Sequence, residues 1–480
     1  MIQKILRKSM FFLALLAATL FFSCGGGSSS SDDEEEYDIE PGSSLTESDF
    51  HTFRSYHDEY FETGFADLID DLLAGYPPLS NYSTYYISPT GSDYYNNGLS
   101  EQAPFATFSH ALSQMLAGDT LIVMDGTYTM EGSYEGMEVN KYGSYSSFTT
   151  IKAQNKGKAI ISGGNTTKNN DYALMSISGI YIMIDGLVFK DLKAANGATG
   201  IRLENGANHI VIANCEFKNI KTASLVTEAS KDDEDLQYTA NAIIGYGNSN
   251  SAPISSILVY KNRCTDMETG WGECISLTEN CTHVSIIDNY IDNTGNIGID
   301  VGGNYVDELL ADRRFTRYAY IAHNTVVNES TSDTYGDTCY GIYADGGQHI
   351  QIIGNKVENC MGGIEAGAEE VNEGYPTDDI WIRSNELINC GEIFFACGGY
   401  EANRGWVTNV HFLENTCLAT HDADCMVNLA KCNNVEIKGN TFKKTGNFGI
   451  DMVNWEYNGW NLSPTPTVND AINENTWIGF

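Results

Sequence analysis

Three acidic side chains recur at equivalent places in short glycine-rich segments of alternating apolar residues. Asp300 lies in GIDVG, Asp345 in GIYAD and Glu365 in GIEAG. Successive side chains of an extended strand point to opposite faces, so Asp300 points outward if Ile299 and Val301 face a core. The same alternation directs Asp345 and Glu365 outward. Carboxyl groups held near one another on a strand face are suited to general acid and base catalysis or to nucleophilic attack.

The spacing of these residues predicts how far apart their side chains lie. If the segments stack as neighbouring strands, Asp300 and Glu365 share a column two strands apart, roughly 9–10 Å from each other, and Asp345 lies diagonally at roughly 8 Å. Glycoside hydrolysis with inversion uses carboxyl groups about 6.5–9.5 Å apart, and retention about 5–5.5 Å. The spacing favours inversion and leaves retention open, because the side chains can swing. A solvated acidic face is the alternative explanation.

Polar and aromatic residues on or beside the same edge are typical of a sugar-binding surface. Aromatic rings stack on the apolar faces of pyranose rings, and arginine pairs with an acidic sugar or with a catalytic carboxylate. Packing within the loops is the alternative for each residue. We predict these substrate-binding residues: Asp307, Arg313, Arg314, Tyr343, Glu369, Tyr400, Arg404, Trp406 and Trp271. No metal ligands are predicted.

The elements that position these residues form a repeat. From about residue 180, alternating apolar residues, a turn with asparagine and a short strand recur in units such as VSIIDNYIDN and IQIIGNKVENC. Units of roughly 22–30 residues with three short strands indicate a parallel β-solenoid. Asparagines at one turn can stack as a hydrogen-bonded ladder. The predicted ladder residues are Asn214, Asn262, Asn289, Asn324, Asn355, Asn385, Asn415 and Asn440.

Insertions concentrate around the acid-bearing strands. The inserts are residues 224–240, 303–317, 368–379, 399–408 and 454–475, whereas the asparagine turn takes no long insert. Repeat proteins build a binding face from insertions on one edge.

At this point the chain resembles a known family. From Tyr85, the stretch YYISPTGSDYYNNGLSEQAPFATFSHALSQMLAGDTLIVMDGTY resembles the entry segment of right-handed parallel β-helix carbohydrate-active enzymes of the pectate-lyase superfamily. That resemblance covers residues 85–480 and implies an all-β fold with a capping helix at about Phe105–Leu116. The phrases GECISLTEN, NIGIDVGG, YGIYADGGQHIQIIGN, GGIEAGAEE and ACGGYEANRG resemble β-helix glycosidases of the lacto-N-biosidase type.

The N-terminus carries an export signal. Basic residues precede a short apolar run, which is typical of a signal peptide over residues 1–23, and Cys24 follows as in a lipobox. Residues 24–44 form a flexible acidic tether that resembles the surface-export signal of Bacteroidota lipoproteins. Apolar residues at spacings of three and four predict an amphipathic helix within residues 45–84, which docks on the solenoid. We therefore expect a lipid anchor at the outer membrane, on the cell surface of a Gram-negative bacterium.

The charge balance excludes one class of partner. With 27 Lys and Arg against 64 Asp and Glu, the chain is too acidic to bind nucleic acid by neutralising phosphates. The first hypothesis is a monomeric hydrolase acting on an oligo- or polysaccharide without a cofactor. A polysaccharide lyase that uses Ca²⁺ and a non-catalytic glycan-binding lipoprotein are the alternatives.

Overall fold

The computed structural model describes residues 82–130, 136–144, 147–223, 239–306, 308–329, 339–369, 375–399, 405–456 and 468–480. The predicted signal peptide, the tether with Cys24, and nearly all of the segment 45–84 lie outside the described residues. So do three predicted binding residues, Asp307, Tyr400 and Arg404.

The described chain is built from three long parallel sheets, and each turn of the solenoid, here called a rung, adds one strand to each. Numbered in chain order, sheet 1 contains β1 Thr84–Ile87, β2 Thr120–Val123, β5 Thr149–Ala153, β8 Ile180–Asp185, β11 Asn208–Ala213, β14 Ile254–Tyr260, β17 Cys281–Ile287, β20 Arg317–Ala322, β23 Gln348–Ile353, β26 Thr377–Arg383, β29 Val407–Leu413 and β32 Cys432–Lys438.

Sheet 2 follows the asparagine turn. It contains β3 Gly126–Thr129, β6 Ala159–Ser162, β9 Val188–Ala194, β12 Glu216–Thr222, β15 Arg263–Thr265, β18 Tyr290–Asp292, β21 Thr325–Val327, β24 Lys356–Glu358, β27 Glu386–Ile388, β30 Thr416–Ala419, β33 Thr441–Lys444 and β35 Thr476–Ile478.

Sheet 3 carries the predicted catalytic acids. It contains β4 Met137–Val139, β7 Tyr172–Ile177, β10 Ala198–Leu203, β13 Ala240–Gly247, β16 Glu273–Glu279, β19 Ile297–Gly302, β22 Tyr340–Asp345, β25 Gly362–Ala368, β28 Ile393–Gly399, β31 Cys425–Ala430 and β34 Asp451–Glu456. The all-β architecture is confirmed, and its parallel strands and repeated crossovers are consistent with the right-handed β-helix that the sequence predicts.

Two short helices lie at the ends of the described solenoid. Helix α1, Phe108–Gln114, confirms the predicted capping helix, and helix α2 spans Val468–Asn473. Helix α1 begins later than predicted because Thr107 caps it, accepting a hydrogen bond from the backbone N–H of His110. No helix among the described residues is long and apolar enough to cross a membrane.

Apolar side chains from all three sheets fill the interior of the solenoid. In sheet 3, Ile275, Ile299, Ile342 and Ile364 lie in one register column and are fully buried. Neighbouring strands are about 4.8 Å apart, so stacking identical residues fills the interior evenly.

An asparagine ladder joins the rungs at the turn between sheets 1 and 2. The side-chain oxygen of Asn355 accepts hydrogen bonds from the backbone N–H of Asn324 at 2.9 Å and from its side-chain amide at 3.0 Å. That amide also donates to the carbonyl of Ile286 at 2.8 Å. The same bonds recur along the ladder, which contains Asn262, Asn289, Asn324, Asn355, Asn385, Asn415, Asn440 and Asn475.

The predicted ladder was wrong at its first residue, Asn214, and did not include its last residue, Asn475. Asn214 has a positive φ of 52°. Lys261 and Asp288, which immediately precede ladder asparagines, also have positive φ values, of 51° and 54°. Cys215 therefore occupies the ladder position in that rung, and its N–H donates to the side chain of Asn262. Asn475, which follows helix α2, extends the ladder by one rung.

We expect Asn324→Ala to lower the free energy of unfolding by about 3 kcal/mol, because buried backbone and amide groups of the rungs on both sides lose their partners. Urea unfolding followed by circular dichroism measures the change. Asn214→Gly, which keeps the left-handed backbone accessible and leaves the ladder intact, is the matched control, with an expected loss below about 1 kcal/mol. Equal losses in the two variants would contradict the ladder's role.

Candidate functional site

Sheet 3 brings the predicted acids together in the predicted register. Tyr343 pairs directly with Asp300 on one side and Glu365 on the other, so the two acids share a column two strands apart. Asp345 pairs with Gly302 and Gly367 in the adjacent outward column. At the spacing of parallel strands, the α-carbons of Asp300 and Glu365 lie roughly 9–10 Å apart.

Asp300 is buried and only partly hydrogen-bonded. Its side chain is 6% exposed, and the Ser276 hydroxyl donates to Oδ2 at 3.4 Å. Its Oδ1 is buried and has no hydrogen-bond partner among the described residues. Burial raises the pKa of Asp300 well above its ordinary value, and the charges of Glu273 and Glu369 raise it further. A solvated acidic face does not explain this residue.

Asp345 is in a similar environment one column away. Its side chain is 4% exposed, and the backbone N–H of Glu369 donates to Oδ1 at 3.0 Å. Burial raises the pKa of Asp345 well above its ordinary value, followed by the charges of Glu369 and Asp300. The Glu369 hydrogen bond acts in the opposite direction, because it stabilises the ionised form.

Glu365 and Glu273 complete a cluster of carboxyl groups, here called the acidic cluster: Glu273, Asp300, Asp345, Glu365 and Glu369. Burial, followed by the charge of Glu369, raises the pKa of Glu365 to about 8. Burial raises the pKa of Glu273 to about 7, against an opposing hydrogen bond with Ser276. Like charges this close together disfavour the ionisation of all five groups at once, so part of the cluster stays protonated at neutral pH.

Glu273 was not among the predicted site residues, because strict alternation along β16 would place it on the core side with Ile275. Cys274 and Ile275 are both fully buried in the core, so two consecutive residues face inward and Glu273 faces outward. Two consecutive inward-facing residues recur in β19, at Gly298 and Ile299. A Cβ at Gly298 would lie 2.5 Å from the core residue Val326, so this glycine also faces the interior. A glutamate directly before two apolar residues at the start of the strand was the available signal.

Two tyrosines line the acidic cluster, and each lies over a glycine of the next rung. The Tyr343 hydroxyl donates to Oε1 of Glu369 at 3.3 Å. A Cβ at Gly367 would lie 2.5 Å from the Tyr343 ring, and one at Gly362 would lie 2.5 Å from the Tyr340 ring. The ring centroids are 6.2 Å apart. These glycines therefore provide the space in which the tyrosines reach across the cluster.

The predicted binding residues fall into different environments. Trp271 is half-buried just before β16 of sheet 3, and Trp406 is half-buried just before β29 of sheet 1. Arg313 is partly exposed on the Ala311–Arg313 3-10 helix. Arg314 is 8% exposed, and its guanidinium lies 5.2 Å from the Tyr375 ring centroid. The structure thus places Arg314 in the packing of the loop.

The loop after β19 is fixed to the solenoid at its base. The carboxylate of Glu279 accepts a hydrogen bond from the backbone N–H of Tyr305 at 2.9 Å, and the N–H of Asn304 donates to the carbonyl of Arg314. Gly303, at φ 147°, lies so close to Arg314 that a Cβ would contact its carbonyl oxygen. These contacts hold residues 303–305 against the solenoid.

Among the described residues, no group of three or more histidine, cysteine, aspartate or glutamate side chains is placed to hold a metal ion. What the cluster can supply is a proton from a carboxyl of raised pKa, together with a neighbouring ionised carboxylate.

The stability of the protein should depend on the ionisation of Glu365. Its pKa is about 8 in the folded protein and ordinarily about 4.5, so the folded state binds more protons over that interval and loses stability as the pH rises. Glu365→Gln cannot ionise. We expect it to match the unmodified protein near pH 4 and to be more stable at pH 9 by about 1–3 kcal/mol, allowing for solvent screening of a half-buried group.

The measurement is urea unfolding of both proteins across this pH range. Glu386→Gln, which changes an exposed glutamate of β27, is the matched control and should leave the profile unchanged. Parallel profiles for Glu365→Gln and the unmodified protein would show that Glu365 ionises normally in the folded state.

Comparison with known proteins gives one sequence relative. The uncharacterized protein YwoF of Bacillus subtilis strain 168 is 30% identical over 334 residues, covering 68% of this chain and 66% of that relative. The chain therefore spans just under two thirds of the relative's length. No model of a known protein family matches the chain.

Solved structures are similar to this chain to different degrees. The GH136 lacto-N-biosidase from Eubacterium ramulus superposes with a TM-score of 0.55 at 12% identity, covering 82% of this chain and 70% of that one. A rhamnogalacturonan lyase superposes with a TM-score of 0.44 at 15% identity, covering 79% and 87%. The pectate lyase Pel9A gives 0.39 at 14%, covering 82% and 83%. This chain is therefore a parallel β-helix protein whose fold is similar to that of the lacto-N-biosidase.

Proposed function

We propose that the protein is a glycoside hydrolase that cleaves an oligo- or polysaccharide at the acidic cluster. The observation that carries this proposal is the grouping of two buried carboxyls, Asp300 and Asp345, with the half-buried Glu365 on one strand face. One protonated carboxyl would donate its proton to the glycosidic oxygen as the bond to the anomeric carbon breaks. A second, ionised carboxylate would attack that carbon or take a proton from the attacking water.

The charges within the cluster support a mechanism in which one acid is protonated while a neighbouring acid is ionised. A carboxyl acts as a general acid at neutral pH when its pKa is raised, as burial does for Glu365. The charges that act most strongly on Asp300 and Asp345 are those of other carboxylates, so ionising one group keeps its neighbours protonated. Which carboxyl acts as the general acid and which as the base or nucleophile depends on their positions relative to the glycosidic bond of the bound sugar.

The lyase alternative needs different groups. Abstraction of a proton beside a sugar carboxylate uses a base together with a cation or positive side chains that neutralise that carboxylate. In the described part of the cluster, the outward positions paired with Tyr343 are the acids Asp300 and Glu365, and those paired with Asp345 are glycines. These residues suit proton donation to a leaving oxygen better than neutralisation of an acidic sugar.

We also propose that the protein is exported and attached to the outer membrane through a lipid on Cys24. The support is the sequence: a basic segment, a short apolar run and a cysteine followed by a flexible acidic tether. A lipid anchor would hold the solenoid at the cell surface beside polymeric glycans.

The hydrolase proposal predicts release of reducing ends from members of a glycan panel without the ultraviolet absorbance of an unsaturated sugar. Asp300→Asn and Glu365→Gln should each lower kcat/KM about 100-fold or more, because each removes a group that transfers a proton or attacks the sugar. The exposed-residue variant Glu386→Gln should retain full activity. Unsaturated products would establish a lyase, and glycan binding without turnover would support the non-catalytic alternative.

The anchor proposal predicts incorporation of labelled palmitate and recovery of the protein in the outer-membrane fraction. Cys24→Ala should abolish both, whereas Ser28→Ala in the same tether should change neither. Labelling that persists in Cys24→Ala would place the lipid elsewhere or show nonspecific attachment.

A further inference from the structure

The outer face of sheet 1 carries a second apolar cluster, separate from the interior of the solenoid. In β11 and β14, Ile212 and Val259 face the interior, whereas Val211 and Leu258 face outward. We call the outward set the apolar strip; it comprises Phe148, Val211, Ala213, Leu258, Tyr260, Ile287, Tyr320 and Ala322.

The apolar strip is covered. Val211 and Leu258 are 0% exposed and Tyr320 is 1% exposed, although all three lie on the outward side of a single sheet. Water would reach such a face if it were open. The two described helices are not the cover, because α1 contacts β1 and β4 and α2 contacts β32 and β34, at the solenoid's two ends.

The burial of the outer face of sheet 1 ends partway along the solenoid. Along the column that contains Val211, Leu258 and Tyr320, the next positions are Gln351, Trp381, His411 and Glu436. These later residues are half-buried or exposed, and three of them are polar. The covering element therefore lies over the rungs nearest the start of the solenoid and ends near β20 or β23.

Most connections next to the strip are too short to cover it. The chain passes from sheet 3 to sheet 1 through residues 178–179, 204–207, 248–253 and residue 280, and from sheet 1 to sheet 2 through the tight asparagine turn. Residues 140–148 lead into β5 and contribute Phe148 to the strip itself. The longer connection before β20, residues 303–316, is hydrogen-bonded to the connection 248–253, where the N–H of Leu310 donates to Asn250, and its buried apolar residues Val306, Leu309 and Phe315 are not part of the strip. Longer inserts that follow β25 and β28 join sheet 1 at β26 and β29, beyond the end of the strip. The chain before Tyr82 enters sheet 1 at β1, which is the strip's own end of the sheet.

That part of the sequence contains a matching surface. Between residues 45 and 75, apolar residues recur mostly at spacings of three and four, as on one face of a helix. They are Phe50, Phe53, Tyr56, Tyr60, Phe61, Phe65, Leu68 and Leu72. As a helix this segment would be about 46 Å long. The strip, from β5 to β20, extends over roughly 24 Å of stacked strands, so the helix is long enough to cover it.

We propose that residues 45–75 pack as an amphipathic helix along the outer face of sheet 1, with their aromatic side against the apolar strip. The occupant is this chain's own segment and not a second copy, because the strip lies beside the point where the segment joins the solenoid. In consequence, the tether leaves the protein from the side of the β-helix that bears sheet 1, away from the acidic cluster on sheet 3.

A photo-crosslinking experiment on the full mature chain tests this docking. Tyr320 is replaced by p-benzoylphenylalanine, whose first ring matches the tyrosine ring and whose benzophenone group reacts with nearby C–H bonds, and the irradiated protein is digested and analysed by mass spectrometry. We expect intramolecular crosslinks from position 320 to peptides within residues 45–75. The same probe at Trp381, which lies in the same column beyond the strip, is the matched control and should give no crosslinks to that segment.

A second probe position guards against a variant that fails to fold. Tyr260, on β14 within the strip, is replaced in the same way and should crosslink to the same segment. Crosslinks from both positions to another part of the chain would overturn the proposal. Adducts of twice the chain mass would overturn it in favour of a second copy covering the strip.

Discussion

The in-register parallel stacking of rungs is the constraint on which the rest of this structure depends. Each ladder asparagine bonds to both the backbone and the side chain of its neighbour, and these bonds form at a single register. Because side chains alternate between faces, a slip by one residue would turn Asp300 into the interior and bring Ile299 out. The acidic cluster on sheet 3 is therefore positioned by hydrogen bonds at a different corner of the solenoid.

The sequence was sufficient to predict the repeat, the outward direction of the acids and the column shared by Asp300 and Glu365, because all three depend on the period of two. It was insufficient where that period breaks. Glu273 faces the cluster because Cys274 and Ile275 both turn inward. Asn214 was misplaced by one position because an asparagine also suits the left-handed residue that precedes the ladder.

Long-range packing explains the remaining differences. Asn475 lies after an insert and a helix, so its place in the ladder depends on where the chain returns to the solenoid. Arg314 was predicted from its charge to bind substrate, but its burial against Tyr375 depends on how the loop folds back. The alternation of side chains along a strand does not predict the place of Asn475 in the ladder or the burial of Arg314.

Along the ladder, each rung has a tight asparagine turn between sheets 1 and 2 and a connection between sheets 3 and 1 that can vary in length. This difference affects how such a protein can diversify. Since the asparagine corner sets the register, the chain between sheets 3 and 1 can lengthen, shorten or be exchanged without moving Asp300, Asp345 or Glu365. Under the proposed glycoside hydrolase function, a new sugar preference would then require only new loops beside a fixed set of acids. Insertions at the corner between sheets 3 and 1 would change the surface that contacts the sugar while the positions of the acids stay the same.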